Sequence, residues 1–304
     1  VSVSKKYLVV VLGPTAIGKT AKSIALANYF NSEIISADSR QFYKEMAIGT
    51  AVPSENELKS IPHHFIHHKS VEDKYSVGDF EADAVALTEK LFKKHDVIFM
   101  VGGSGLYVDA VCNGLDEFPE VEDTIREELK LQLEEKGIEF LQNKLRELDP
   151  DYFKSADTQN PQRVIRALEV CLVSGKPFSS FRKNKAVERN FKVVKIGLTA
   201  PRAVIYQRIN QRVDIMMKQG LLKEAEKLYP QRDQNALQTV GYKELFAFFD
   251  NQYTLEEAVE EIKKNTRRYA KRQLTWFRKD ESIKWFDYEA SSAEIITHLK
   301  KQIS

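Results

Sequence analysis

Cysteine is nearly absent from this 304-residue chain, which has only Cys112 and Cys171. Two cysteines in apolar surroundings exclude a disulfide framework and a cysteine-based metal cluster, and they suit a reducing, cytoplasmic setting. Long apolar runs are missing as well. The strongest, Tyr7 to Leu12 and Val97 to Val101, fall far short of the roughly 20 residues that cross a bilayer, so no membrane association is expected. The first strand-like segment begins so near residue 1 that no leader peptide is expected. No tract is rich in Gly and Ser or in Pro, which excludes a collagen-like or low-complexity chain. What remains is 42% hydrophobic and 30% charged, with seventeen phenylalanines, enough for a sizeable core.

Net charge is only +2, but it is unevenly spread. Residues 1–150 carry 17 Lys and Arg against 25 Asp and Glu, and residues 151–304 carry 29 against 19. A basic second half suits a polyanionic partner, although scattered surface lysines produce the same balance.

Tyr7-Leu-Val-Val-Val-Leu12 is the continuous β-branched pattern of a strand buried on both faces of a parallel sheet. Glu33 to Ser36, Asp96 to Val101 and Phe191 to Leu198 read the same way, with helices over Ala21 to Phe30 and Val77 to Lys94 between them. Alternating strands and helices imply an α/β core. Between the third and fourth strands the chain turns charged and helical: Glu122 to Lys136, Ile138 to Leu148, then Pro161 to Ser174 ending at Gly175. The expected organisation is a core of residues 1–114 and 191–304 with a helical insertion at 115–190. Beyond the fourth strand a mostly helical chain is expected, including an amphipathic helix from Leu255 to Arg278.

Gly13-Pro-Thr-Ala-Ile-Gly-Lys-Thr20 fits the phosphate-loop pattern and lies between a buried strand and a helix. Residues Gly13, Pro14, Thr15, Ala16, Ile17 and Gly18 form such a loop, whose N–H groups, on all but Pro14, can cradle a phosphate, Lys19 neutralises a phosphate oxygen, and the Thr20 hydroxyl can ligate Mg²⁺. In Ser36-Ala-Asp-Ser-Arg-Gln-Phe-Tyr43, Asp38 falls just past the second strand, at the sheet edge where ligands bind. It can support Mg²⁺, accept a proton from a nucleophile, or cap a helix. Gly102-Gly-Ser-Gly105 follows the third strand, where the Ser104 hydroxyl can meet a substrate or simply sit in a tight turn.

In their order these segments resemble the tRNA dimethylallyltransferase (tRNA isopentenyltransferase) family. The matching stretches are GPTAIGKT (13–20), SADSRQFY (36–43), IGTAVP (48–53), PHHFIH (62–67), VGGSGLY (101–107), NPQRVIRALEV (160–170), RVDIMMKQGL (212–221), VGYKE (240–244) and RRYAKRQLTWFR (267–278). They span nearly the whole chain. The phosphate loop is widespread, whereas DSRQ, GGSGLY, QRVIRAL and AKRQLTWFR in succession are specific.

The resemblance implies a P-loop NTPase-like core and transfer of a dimethylallyl group from its diphosphate to N6 of the adenosine 3′ of the anticodon. Residues 13–20 then hold diphosphate with Mg²⁺, which Thr20 and Asp38 would ligate. Asp38 matches the general base, Ser104 the position usually occupied by threonine, and Arg212 a diphosphate-binding arginine with Arg208 one turn earlier. The tRNA anticodon stem-loop would meet Asp38, Ser39, Arg40, Gln41, Ser104, Arg126, Gln162, Arg163, Val164, Ile165, Arg166, Arg267 and Lys271. Lys263, Arg267, Lys271 and Arg278 would form a phosphate-facing row. Val52 and His67 depart from the usual lysine and aspartate. His63, His64, His67 and His68 lack the spacing of a zinc site and are expected to shape the acceptor side of the cleft. A monomer suffices for one tRNA.

Three other functions compete. A nucleotide or small-molecule kinase would use the loop for ATP, an adenylate-type isopentenyltransferase would accept free AMP, and a non-catalytic RNA-binding protein would need only the basic half. The helical insertion and basic final helix favour tRNA as the acceptor.

Overall fold

A computed structural model of the chain describes residues 5–182 and 187–303. It forms two compact units, Val1–Cys112 with Glu188–Ser304, and Asn113–Val187.

The first unit is built on a six-stranded parallel sheet of order β3-β2-β4-β1-β5-β6. The strands are β1 (Tyr7–Leu12), β2 (Ile34–Ser36), β3 (His63–His64), β4 (Val97–Val101), β5 (Lys192–Thr199) and β6 (Lys284–Asp287). Every residue of β1 is buried. Alternation divides it between the two faces: Leu8, Val10 and Leu12 pack with Ile35, Ile98 and Met100, while Tyr7, Val9 and Val11 pack with Ile34, Val97 and Phe99. Burial of both faces explains the unbroken apolar runs.

Two strands escape the sequence pattern. The His63–His64 segment, where the apolar pattern marks no strand, pairs with Ile34 and Ile35. Beyond β5, where the chain was expected to be mostly helical, Lys284–Asp287 adds an edge strand, and Trp285 lies over Gly197, where a Cβ would come within 2.6 Å of the ring. Both strands are too short for periodicity to reveal.

The helices of this unit are α1 (Lys19–Tyr29), α2 (Glu55–Ser60), α3 (Val77–Leu91), α4 (Gly105–Asn113), and later α8 (Arg202–Gln219), α9 (Leu221–Leu228), α10 (Tyr242–Phe249), α11 (Leu255–Phe277) and α12 (Ser292–Ile303). α4 runs one residue into the second unit. Cys112 is a buried free thiol, pushed up to about 12 by burial, and behaves as a small core residue.

The second unit contains α5 (Asp123–Leu148), α6 (Pro150–Ser155) and α7 (Pro161–Ser174). Gly137 (φ 76°, ψ 174°) breaks α5 between the two stretches read as separate helices. Asn160 caps α7 by accepting from the Gln162 and Arg163 N–H groups, and Gly175 ends it in the left-handed region. Leu141, Leu145, Val164, Ile165 and Leu168 form the core of this unit. Among the described residues, no helix is long and apolar enough to cross a membrane.

Candidate active site

Because all six strands are parallel, the loops after β1, β2 and β4 emerge at one edge of the sheet. After β1 the chain turns through Gly13 (φ 145°), where a Cβ would lie 2.6 Å from the Leu198 carbonyl oxygen. Ala16 (φ 64°) and Gly18 (φ 102°) complete the turn into α1. Lys19 Nζ donates to the Gly13 and Pro14 carbonyls at 3.0 and 2.9 Å. Burial lowers its pKa to about 8, with Asp38 raising it and Arg212 lowering it further. Arg208 Nε donates to the Ala16 carbonyl at 2.8 Å.

Asp38 caps no helix, since α2 begins only at Glu55. Its Oδ1 accepts from the Arg40 N–H at 3.1 Å, tightening the turn. Burial raises the Asp38 carboxyl above its usual range, outweighing the Arg40 N–H and the Lys19, Arg40 and Arg212 charges that favour ionisation. Arg212 is itself lowered by burial and by Arg208. Ser104 Oγ accepts from the Ser39 N–H at 3.1 Å and contacts Ser39 Oγ at 3.1 Å, so it joins the loops after β2 and β4.

Thr15, Asp38, Ser39, Arg40 and Arg212 line one cavity of about 720 Å³. Ile209, Val213, Met216, Leu221 and Ile262 supply its apolar wall, and Tyr269 and Arg272 of α11 also face it. The cavity thus joins cationic, acidic and apolar walls.

Several expected tRNA contacts have other duties. Gln41 is turned inward: Nε2 donates to the Thr50 and Ala51 carbonyls, and Oε1 accepts from Ser36 Oγ. Both ends of its amide are therefore engaged within the fold. Arg40 donates to the Asn235 and Ala236 carbonyls at 3.0 Å each. Val164 and Ile165 are buried, so their side chains offer no RNA surface. Arg126 meets the buried Glu169 carboxylate through Nε and Nη2 at 2.6 and 3.0 Å, and Arg166 reaches it at 3.2 Å. Gln162 and Arg163 are exposed at the start of α7.

The basic row along α11 is divided too. Lys263 is paired with Asp214 and Glu260 at 2.9 Å each. Arg267 donates to Asn210 Oδ1 and lies over the Tyr206 ring. Lys271 and Arg278 remain exposed. None of the four histidines lines the cavity. His64 meets Glu33 at 2.7 Å, His63 the Ile61 carbonyl, and His68 joins the rings of Phe42, Phe65 and Tyr75. His63 and His64 thus sit on β3 beside β2, and aromatic partners, which spacing alone does not reveal, decide the place of His68.

Two site residues were not singled out from sequence. Tyr269 reads as one of the apolar residues of α11, but it faces the cavity and its hydroxyl lies within hydrogen-bonding reach of Ser104; burial pushes it up to about 12. Gln273 is 5% exposed; its Oε1 accepts from the Thr15 N–H at 2.8 Å and its Nε2 donates to the Gly103 carbonyl at 3.0 Å. The only prior signal is that both lie in RRYAKRQLTWFR, one helical turn apart.

A parallel sheet whose central strand opens through a glycine-rich loop into a helix is a P-loop NTPase-like core. Within that class, a family model described as IPP transferase matches residues 41–280. The chain belongs to this family of transferases. It is 59% identical to a tRNA dimethylallyltransferase of Christiangramia forsetii over 98% of this chain and 99% of that one. A second tRNA dimethylallyltransferase, from Flavobacterium johnsoniae, is 56% identical over 98% of each chain. The crystal structure of a tRNA isopentenylpyrophosphate transferase from Bacillus halodurans aligns with TM-score 0.74 and 39% identity, covering 98% of this chain and 97% of that one. A eukaryotic dimethylallyltransferase acting on tRNA aligns with TM-score 0.78 and 27% identity, over 98% of this chain and 77% of the other.

Proposed function

We propose that the protein transfers a dimethylallyl group from dimethylallyl diphosphate to N6 of the adenosine 3′-adjacent to the anticodon in tRNA. The observation that carries this reading is the grouping of Lys19, Arg212 and Asp38 beside one partly apolar cavity.

As the C–O bond to the prenyl carbon breaks, negative charge grows on the departing diphosphate. Lys19, Arg212 and the phosphate-loop N–H groups other than that of Thr15, which is given to Gln273 Oε1, are the groups that would receive it. Ile209, Val213 and Met216 offer the hydrocarbon tail a dry wall. The adenine nitrogen forms the new N–C bond and loses a proton to an Asp38 carboxylate oxygen. A carboxyl raised above its ordinary range holds that proton better than an exposed aspartate. Ser104 holds the Asp38 loop through Ser39, while Arg40 and Gln41 brace the same segment.

Mg²⁺ suits this donor set, because magnesium takes one or two protein oxygens and completes its shell with phosphates and water. Thr20 and Asp38 are the side chains that would hold it, and it would supply further charge neutralisation on the diphosphate. No group of three or more His, Cys, Asp or Glu side chains suited to an all-protein metal cage occurs among the described residues.

The target adenosine must leave the stacked anticodon loop to reach Asp38. The exposed Gln162, Arg163 and Lys271 are the best-placed of the proposed RNA contacts.

The decisive experiment is mass spectrometry of nucleosides from unmodified tRNA incubated with protein, Mg²⁺ and dimethylallyl diphosphate, with AMP as a parallel acceptor. A five-carbon addition to adenosine in tRNA alone is expected. Modified AMP would make the acceptor a free nucleotide, and ATP consumption without prenylation would make the protein a kinase.

A further inference from the structure

We infer that Gln273 is a positioning residue for the donor: its side-chain amide locks the phosphate loop to the turn after β4, and the affinity of the loop for diphosphate depends on that lock. This rests on the preceding reading that residues 13–20 receive the diphosphate.

The amide is bound at both ends. Its oxygen accepts from the Thr15 N–H at 2.8 Å, and its nitrogen donates to the Gly103 carbonyl at 3.0 Å. Only a primary amide of this length meets a donor on one side and an acceptor on the other. Glutamate would lose the donor, methionine both functions, and asparagine one methylene of reach. At 5% exposure, water cannot readily replace the lost bonds.

The lock also accounts for a glycine. Gly103 lies outside the left-handed region, so its backbone does not demand glycine. A Cβ there would nevertheless sit 2.2 Å from Gln273 Nε2. The side chain of residue 103 is excluded by the amide, not by the conformation of the turn.

The third residue of the phosphate loop is thereby tied outward. Thr15 gives its N–H to α11, while Arg208 holds the Ala16 carbonyl from α8. These restraints keep the remaining N–H groups from having to reorganise when an anion arrives, and such preorganisation raises affinity. One turn earlier, Tyr269 lies within reach of Ser104. A single face of α11 therefore braces the phosphate loop and the turn that carries Ser104.

The test is a comparison of Gln273→Met, Gln273→Glu, Gln273→Ala, Gly103→Ala and the Gly103→Ala/Gln273→Ala pair. In the methionine variant, the KM for dimethylallyl diphosphate and the calorimetric Kd for inorganic diphosphate are expected to rise about tenfold, the scale of losing two buried hydrogen bonds. The KM for tRNA should stay within about twofold, since phosphate contacts to RNA lie elsewhere. Gln273→Glu, which keeps the bond from Thr15 but sets a carboxylate oxygen against the Gly103 carbonyl and adds negative charge beside the loop, should lose at least as much as methionine. Gly103→Ala should reproduce the donor defect by displacing the amide. Added to Gln273→Ala it should cost nothing more, because the obstructing group is already gone.

Unchanged diphosphate affinity in Gln273→Met, or losses that multiply in the double variant, would overturn the inference. A wild-type protein that binds diphosphate but leaves tRNA unprenylated would instead overturn the proposed function. The response of diphosphate binding to Gln273→Met would still decide the lock.

Discussion

Along the N-terminal edge of the sheet, Lys6 pairs with Asp96 at 2.7 Å, and Glu33 lies between His64 at 2.7 Å and His95 at 3.2 Å. Along the C-terminal edge, Lys19, Asp38 and Arg212 approach one another with no ion pair between described residues, and Lys19 is bonded only to backbone carbonyls. The titration of the two edges differs accordingly. Burial pushes Glu33 upward, but hydrogen bonds from both histidines prevail and hold it below the usual carboxylate value. At Asp38 burial wins, and at Lys19 burial displaces the ammonium the other way. One edge satisfies its charges within the fold, while the other holds charges that a bound anion and an incoming nucleophile would satisfy.

The sharpest way to break this comparison is Asp38→Asn, which retains shape and removes the proton acceptor. Turnover should fall roughly 10²- to 10⁴-fold with tRNA affinity nearly unchanged; single-turnover kinetics would show whether it does, and an unaltered rate removes Asp38 from the base role. Next in size, Arg212→Ala should raise the KM for dimethylallyl diphosphate about 10- to 100-fold and leave the tRNA KM little altered.

A pH series comes third. The Lys19 ammonium, lowered to about 8, is charged below that pH and loses its proton above it, so diphosphate affinity should fall as pH rises through about 8, by at most about tenfold per unit. Calorimetry across pH 6 to about 9 covers the window; a flat profile would show that Lys19 does not carry the anion.

Smaller effects are expected at the RNA surface. Arg163→Ala and Lys271→Ala should each weaken tRNA binding severalfold and lower the salt-dependence slope by about one. Unchanged affinity and slope would place the RNA surface elsewhere. The smallest effect on activity, none, is expected for Glu33→Gln at the opposite edge, which should instead lower stability at neutral pH by about 1 kcal/mol. Because the folded carboxyl is depressed, its contribution is full above the unfolded pKa and disappears as pH falls through the folded value. Denaturant titrations at neutral and acid pH should therefore converge for the two proteins.

Legibility in the sequence follows length and locality. β1, β4 and β5 are long enough for their apolar runs to announce a doubly covered parallel sheet. Helix α7 carries both its stops, Asn160-Pro161 and Gly175, in local sequence. The P-loop was readable for the same reason, because strand, glycine turn and helix are contiguous. Motif membership was a poorer guide to side-chain direction. Within Gln162 to Arg166, helical spacing turns Val164 and Ile165 inward and leaves Gln162 and Arg163 outside. Gln41 and Arg126 likewise answer to partners brought in by the fold. Gln273 is the extreme case: nothing around it in Lys271-Arg-Gln-Leu274 distinguishes an internal brace from a solvated polar residue.

Thr15 and Gln273 are separated by 258 positions in the chain. Such a contact has high loop-closure entropy and belongs to the slow, non-local class of folding events. During synthesis, the phosphate loop emerges with its strand and helix long before α11 can reach it. The anion cradle should therefore be among the last parts of the protein to mature. Chains that stop before residue 273 would contain the loop without its brace, so the loop takes its final form only after α11 has been made.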